Sequence, residues 1–245
     1  MNLTHLGDVA VIIPAAGRGQ RMGSQGNKLL LELAGIPLLL FALKTFNECS
    51  YIKEIIIPAA ENDVPEIKKI ASEFAINKVT SIVQGGKERQ DSVFNALQVL
   101  NPHIKRVVIH DGARPLLTLK ELNCFLEQTI NFEAAVMAVQ PKDTIKKVDK
   151  DNWVLGTLVR DGLRAIQTPQ IFDRLLLEKV HKTAYECQYY ATDDSALLEW
   201  QGYQVKVLAG SYENIKVTTP EDLLLAENIM RRRQKLTADI LRDVK

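Results

Sequence analysis

A chain of 245 residues with 46% hydrophobic and 25% charged residues suits one α/β domain, or at most two small ones, with a sizeable core. A net charge of +1 excludes the broad positive field of a nucleic-acid binder, so any cation-rich site must be local. No apolar run approaches the roughly 20 residues of a membrane span, and the first eight residues lack the basic and apolar segments of a signal peptide. A cytoplasmic protein with no membrane or nucleic-acid partner is expected. Cys49, Cys124 and Cys187 are far apart and form no CxxC pair, so they read as buried thiols.

The first strand is expected at 9–13, an apolar run that breaks at Pro14 into Ala15-Ala16-Gly17-Arg18-Gly19-Gln20-Arg21-Met22-Gly23, followed by Lys28. Glycine lets a backbone approach a ligand and turn its N–H groups toward it. Two cations shortly after can hold an anion with several oxygens, so this stretch reads as a phosphate cradle. A helix follows at about 37–47, then a short strand at 54–57 ended by Pro58, and a helix at about 63–74. The pattern continues with a strand at 79–83, a helix at 89–100, a strand at 106–110, a capping-box helix opening at Thr118-x-x-Glu121, and a strand at 134–139. Strands alternating with helices predict right-handed crossovers and a doubly wound, mostly parallel α/β sheet covered on both faces.

Between 140 and 168 the rhythm changes. Residues 144–148 and 154–159 flank the polar Asp149-Lys150-Asp151-Asn152, which predicts a β-hairpin. An isolated hairpin is marginal unless it packs on something, so it reads as a protruding arm that reaches a partner subunit, with an edge hairpin of the same domain as the alternative. Helices at about 173–185 and 193–200 follow, the second with Thr192 as N-cap, then a strand at 204–208. Thr219-Pro220-Glu221-Asp222 opens the last helix, with Thr at N-cap and Pro at the first helical position. One domain over 1–232, with the arm at 140–168 and a polar tail at 233–245, is the expected organisation.

The glycine-rich opening fails two common motif tests. A dinucleotide fingerprint needs G-x-G-x-x-G and an acid after the second strand, but Met22 stands at the third small position and the second strand runs into Pro58. A P-loop needs G-x-x-x-x-G-K-[ST], but Lys28 lies between Asn27 and Leu29. The loop instead resembles the opening of nucleotidyltransferases of the Rossmann-like type.

Five further segments resemble one family, the 2-C-methyl-D-erythritol 4-phosphate cytidylyltransferases. They are Gly85-Gly86-Lys87-Glu88-Arg89-Gln90-Asp91-Ser92-Val93; His110-Asp111-Gly112-Ala113-Arg114-Pro115; Asp143-Thr144-Ile145-Lys146; Gln167-Thr168-Pro169-Gln170 with Thr192-Asp193-Asp194; and Asn214-Ile215-Lys216-Val217-Thr218-Thr219-Pro220-Glu221-Asp222. The resemblance implies transfer of CMP from CTP to methylerythritol phosphate with release of pyrophosphate. A substrate oxygen attacks directly in such a reaction, so positioning and charge stabilisation are needed and a protein nucleophile is not. Four scattered histidines (His5, His103, His110, His181) fit that demand, and His110 reads as a packed side chain.

The same resemblance implies a role for each matching residue. Arg21, Lys28 and Lys216 are the catalytic cations, and Asp111 is the catalytic carboxylate and the ligand of a Mg²⁺ cofactor. CTP is held by Ala15, Ala16, Gly17, Gly19, Arg21, Lys28, Gly86, Lys87, Ser92, Asp111 and Gly112. The second substrate meets Arg114, Thr144, Arg160, Thr168, Thr192 and Lys216, with Arg160 donated across a homodimer by the hairpin arm. Gly112 stands where the family more usually has Ala, and Leu29 where it frequently has Gln. Two rival readings are a ribitol 5-phosphate (or other pentose-phosphate) cytidylyltransferase and a non-enzymatic nucleotide-sensing protein on the same fold.

Overall fold

The computed structural model describes residues 6–17 and 27–243, with 235–243 as backbone. Arg21 and Gly19, expected in the phosphate cradle, lie outside the described residues. Among the described residues, seven strands form the central sheet in the order β11-β7-β10-β6-β1-β4-β5. These are β1 (Val9–Ile12), β4 (Ile52–Ala59), β5 (Val79–Gln84), β6 (Arg106–Ile109), β7 (Ala134–Val139), β10 (Ala165–Asp173) and β11 (Lys206–Ala209). The pairs β5–β4, β4–β1, β1–β6 and β7–β11 are parallel, and β10 runs antiparallel to both of its neighbours.

Both faces of the sheet are covered, and the alternation along β1 shows how. Val9, Val11 and Ile13 point into a core with α1 (Leu38–Glu48), α2 (Val64–Glu73) and α4 (Leu119–Gln128). Ala10 and Ile12 point into a second core with α3 (Arg89–Leu97), α5 (Arg174–Glu186) and α6 (Asp194–Trp200). A strand buried on both sides reads as a continuous apolar run, which is why 9–13 shows no polar alternation. Each fully buried Leu, Ile or Phe contributes about 1.5–3 kcal/mol. A third cluster seats α7 (Pro220–Asp243) through Ala226 and Ile229 on Leu33 and Leu38.

Several expectations are corrected. The strand expected to end at Pro58 runs on to Ala59. Pro58 leaves one gap in the pairing with β1, between Ile13 N on Ile56 O at 3.0 Å and the Ala15–Ala59 bridge, and its carbonyl still accepts Ala15 N at 2.7 Å. Strand β10 was not expected. Its Pro169 disguises it, and a register shift between Ile166 and Gln170 absorbs the proline. The short hairpin β2 (Glu32–Leu33) and β3 (Ile36–Pro37) was also unforeseen; it turns through Ala34 (φ 53°) and Gly35 (φ 76°). Asp193, not Thr192, caps α6, its Oδ1 accepting Ala196 N at 3.0 Å. Of the cysteines only Cys49 is buried; Cys124 and Cys187 are exposed.

The hairpin is present as β8 (Lys146–Val148) and β9 (Val154–Thr157), a two-stranded sheet of its own. All seven strand residues are exposed. No helix among the described residues is long and apolar enough to cross a membrane.

Candidate active site

The site lies where the parallel strands end, the usual ligand position in open α/β sheets. β1 delivers Pro14, Ala16 and Gly17; β5 delivers Gly85 and Gly86; β6 delivers His110 and Asp111. Two clefts open there. The first is lined by Pro14, Ala16, Gly17, Lys28, Leu29, Gly86, Lys87, Glu88, Arg89, Ser92, Asp111, Gly112, Ala113 and Lys216. The second is lined by residues that include Arg114, Gln167, Thr168, Gln170, Thr192 and Asp193. Arg89, Asp111 and Lys216 line both, so they form a shared wall.

Asp111 is the centre of that wall. Its Oδ2 lies 2.7 Å from Lys216 Nζ and 3.9 Å from Arg114 Nε, and its Oδ1 lies 3.4 Å from Arg89 Nε. Burial pushes this carboxyl toward the neutral form, but Arg89, Lys216 and Arg114 together outweigh burial and hold it well below the usual carboxylate range. Its backbone is fixed as well. Asp111 N donates to Thr168 Oγ1 at 3.0 Å, and Thr168 Oγ1 lies 3.1 Å from Nδ1 of the fully buried His110. His110 Nε2 in turn lies 3.4 Å from Arg114 O. These bonds are all satisfied by a neutral ring protonated on Nε2, and burial lowers the His110 pKa to about 4. His110 is therefore a packed brace, as its sequence reading anticipates.

The glycine turn is tight. A Cβ on Gly85 would lie 2.3 Å from Ala16 Cβ, and one on Gly86 would lie 2.1 Å from Asp91 Cβ. Gly86 N donates to Ser92 Oγ at 3.0 Å, and Ser92 Oγ donates to Glu88 O at 3.1 Å. Gly86→Ala must push this loop into the first cleft. The variant should fold, and its KM for the substrate held in that cleft should rise at least about 10-fold in steady-state kinetics, equivalent to about 1.4 kcal/mol; unchanged KM values for every substrate would contradict the placement. Gly112 and Leu29, the two departures noted in the sequence, meet in space: a Cβ on Gly112 would lie 3.0 Å from Leu29 Cδ1. Leu29 thus occupies room that a larger residue at 112 would contest.

Asn27 and Lys28 close the first cleft from the other side. Asn27 Nδ2 donates to Ala15 O at 2.6 Å and to Asp63 Oδ2 at 2.9 Å. Lys28 Nζ donates to Val217 O at 3.4 Å, and Val217 N donates to Ala113 O at 2.8 Å. The second cleft is held by Arg114 Nη1 on Asn214 O at 2.7 Å and Asn214 Nδ2 on Thr168 O at 2.9 Å.

Among the expected residues, Ala16, Gly17, Lys28, Gly86, Lys87, Ser92, Asp111, Gly112 and Lys216 converge on the first cleft, and Ala15 is held beside it by Asn27. Arg114, Thr168 and Thr192 line the second cleft. Thr144 and Arg160 are not brought there within this chain. Both are exposed at the hairpin, where Arg160 Nη1 donates to Lys142 O at 2.8 Å. Arg89 was missed as a wall residue although its segment was singled out. Its partner Asp194, 2.6 Å from Arg89 Nη1, is remote in sequence, and no local spacing could reveal the pair.

Asp194 supplies a pH prediction. Burial raises its pKa, but the Arg89 charge and the His181 hydrogen bond outweigh burial and lower it to about 2. A depressed carboxyl adds stability that is full above its unfolded pKa of about 4 and is lost as pH falls through about 2. Between pH 5 and pH 2 about 2–3 kcal/mol should therefore be lost at this group. Asp194→Asn should flatten that acid limb in urea unfolding, and an unchanged limb would refute the assignment.

Comparison with known proteins points to one family. The family model for 2-C-methyl-D-erythritol 4-phosphate cytidylyltransferase matches residues 9–232. A protein of that name from Halalkalibacterium halodurans is 44% identical over 228 residues, covering 93% of this chain and 99% of the relative. One from Pelotomaculum thermopropionicum is 43% identical over 232 residues, covering 94% and 98%. The crystal structure of 4-diphosphocytidyl-2C-methyl-D-erythritol synthase from Anaerococcus prevotii superposes with a TM-score of 0.81 at 32% identity, covering 92% of this chain and 97% of that one.

Proposed function

The chain belongs to the 2-C-methyl-D-erythritol 4-phosphate cytidylyltransferase family, and from that membership we propose how its two clefts divide the work. The enzyme transfers CMP from CTP to 2-C-methyl-D-erythritol 4-phosphate, giving 4-diphosphocytidyl-2-C-methyl-D-erythritol and pyrophosphate. CTP occupies the first cleft and the polyol phosphate the second. The observation that carries this division is the shared wall of Arg89, Asp111 and Lys216, which puts three ionic side chains where the two substrates would meet.

A phosphate oxygen of the polyol attacks the α-phosphorus of CTP. The new P–O bond forms as the bond to the β-phosphate breaks, and the electron pair leaves on pyrophosphate. The attacking oxygen is already anionic, so no protein base is required. Arg21, Lys28 and Lys216 offset charge on the transferring group and on the leaving pyrophosphate. Gly17, where a side chain would meet open space, leaves the backbone bare for the nucleotide, while Gly86 and Gly112 allow the close packing behind it. One lone pair of Ser92 Oγ remains after its two loop bonds, a suitable acceptor for the cytosine amino group.

The chemistry of this family implies Mg²⁺. Among the described residues no group of three or more His, Cys, Asp or Glu side chains could form a metal cage. That fits an ion held by one carboxylate, waters and substrate phosphates, with the ionised Asp111 as the carboxylate. When bound, the ion would neutralise phosphate charge.

The hairpin supports a homodimer. Trp153, Val154 and Val159 are 74%, 60% and 80% exposed, an apolar surface that a second copy of this chain would cover, carrying Arg160 and Thr144 to its second cleft. Sedimentation velocity should give twice the 27.5 kDa chain mass, and a stable, fully active monomer would refute the dimer. For the reaction, pyrophosphate release should require CTP and methylerythritol phosphate together; comparable or faster turnover with ribitol 5-phosphate would overturn the substrate assignment.

A further inference from the structure

We infer that His181 and Asp194 are positioning residues that hold Arg89 in place on the wall between the two clefts; this rests on the division of clefts proposed above. A line of side chains joins four elements. His181 in α5 lies with Nε2 3.1 Å from Asp194 Oδ1 at the start of α6. Asp194 Oδ2 accepts Arg89 Nη1 at 2.6 Å at the start of α3, and Arg89 Nε lies 3.4 Å from Asp111 Oδ1 after β6.

The burial is graded along that line. His181 and Asp194 are each 1% exposed and line neither cleft, whereas the Arg89 side chain is 29% exposed and lines both. A guanidinium is a rigid planar fork, so clamping Nη1 sets the plane and aims Nε at Asp111. Asp194 can clamp it steadily only if its other oxygen is satisfied, and the His181 N–H does that. The ring has no second polar partner: Nδ1 makes no hydrogen bond, and the ring plane lies within 7° of Phe94. Its polar work is confined to Asp194.

The next residue reinforces the clamp. Gln90 Nε2 donates to Tyr189 O at 2.9 Å and Gln90 Oε1 accepts Ala191 N at 3.0 Å. Gln90 therefore ties the first turn of α3 twice to the α5–α6 connection, beside the Arg89–Asp194 pair.

The test is a mutant cycle on the full-length protein, read by pyrophosphate release with CTP and methylerythritol phosphate each varied. His181→Leu keeps an apolar side chain of suitable size and removes the N–H. It should lower kcat on the order of 10-fold, the usual scale for losing a residue that orients a site group. His181→Gln returns a donor near the Nε2 position and should restore kcat to within about threefold of wild type. In an Arg89→Ala background, His181→Leu should lower kcat no further, because residues acting through one another are not additive. Should His181→Leu fail to fold, Asp194→Asn takes its place in the same cycle. Wild-type kcat in His181→Leu, a Gln variant as impaired as Leu, or losses that multiply with Arg89→Ala would each overturn the inference. Wild-type turnover in the same assay tests the functional reading separately.

Discussion

Lys216→Met should lower kcat by about 10²–10³ with little loss of stability. Lys216 Nζ lies 2.7 Å from Asp111 and its side chain is 41% exposed, so the ion pair is partly solvated and its contribution to folding is small, within about 1 kcal/mol. Its place on the wall shared by both clefts is another matter. On the proposed reaction a cation there faces charge that develops only during transfer, and removing one such group costs about 2.7–4 kcal/mol of barrier. Met keeps the aliphatic stem and removes the charge. Unfolding midpoints measured beside kcat would separate the two effects. A kcat within threefold of wild type would remove Lys216 from the chemistry.

Asp111→Asn should damage both activity and stability. The wild-type carboxylate is the common anion of Arg89, Arg114 and Lys216. Neutralising it leaves the buried Arg114 without its ion partner and the wall with an uncompensated positive charge. Removing one partner of a buried pair typically costs about 3–5 kcal/mol, although Arg89 keeps Asp194 and Lys216 can turn to water, so the lower end is expected. In activity, kcat should fall by at least about 10², and the Mg²⁺ concentration giving half-maximal rate should rise. An Asn variant with wild-type unfolding and wild-type Mg²⁺ dependence would contradict the role given to Asp111.

The site residues differ in how far the sequence reveals them. Asp111 and Lys216 were visible in the sequence because each sits in an extended motif, and Asp111 also ends an apolar run that had to be a strand. The doubly wound sheet was legible for the same reason: strands buried on both faces show as continuous apolar runs between helical periods. β10 was hidden because Thr168-Pro169 breaks the pattern of a central strand, and its register shift is a matter of neighbours, β6 and β7, not of local sequence. Arg89 was written in a recognised segment, yet its function depends on Asp194 and Asp111, which the fold brings to it from different strands and helices. Long-range ion pairs have no spacing signature. Thr144 and Arg160 show the complementary case: one sits in a quoted motif and the other beside the expected hairpin, but a single chain holds both at the exposed hairpin, away from the cleft.

The proposed reaction is a single direct displacement at the α-phosphorus, with both substrates held against one wall and no covalent intermediate on the protein. The stereochemical course at that phosphorus tests it most directly. With one diastereomer of α-thio-CTP as donor, the account predicts a diphosphocytidyl product of inverted configuration; retention would require two displacements and a nucleophile on the protein, and would contradict it.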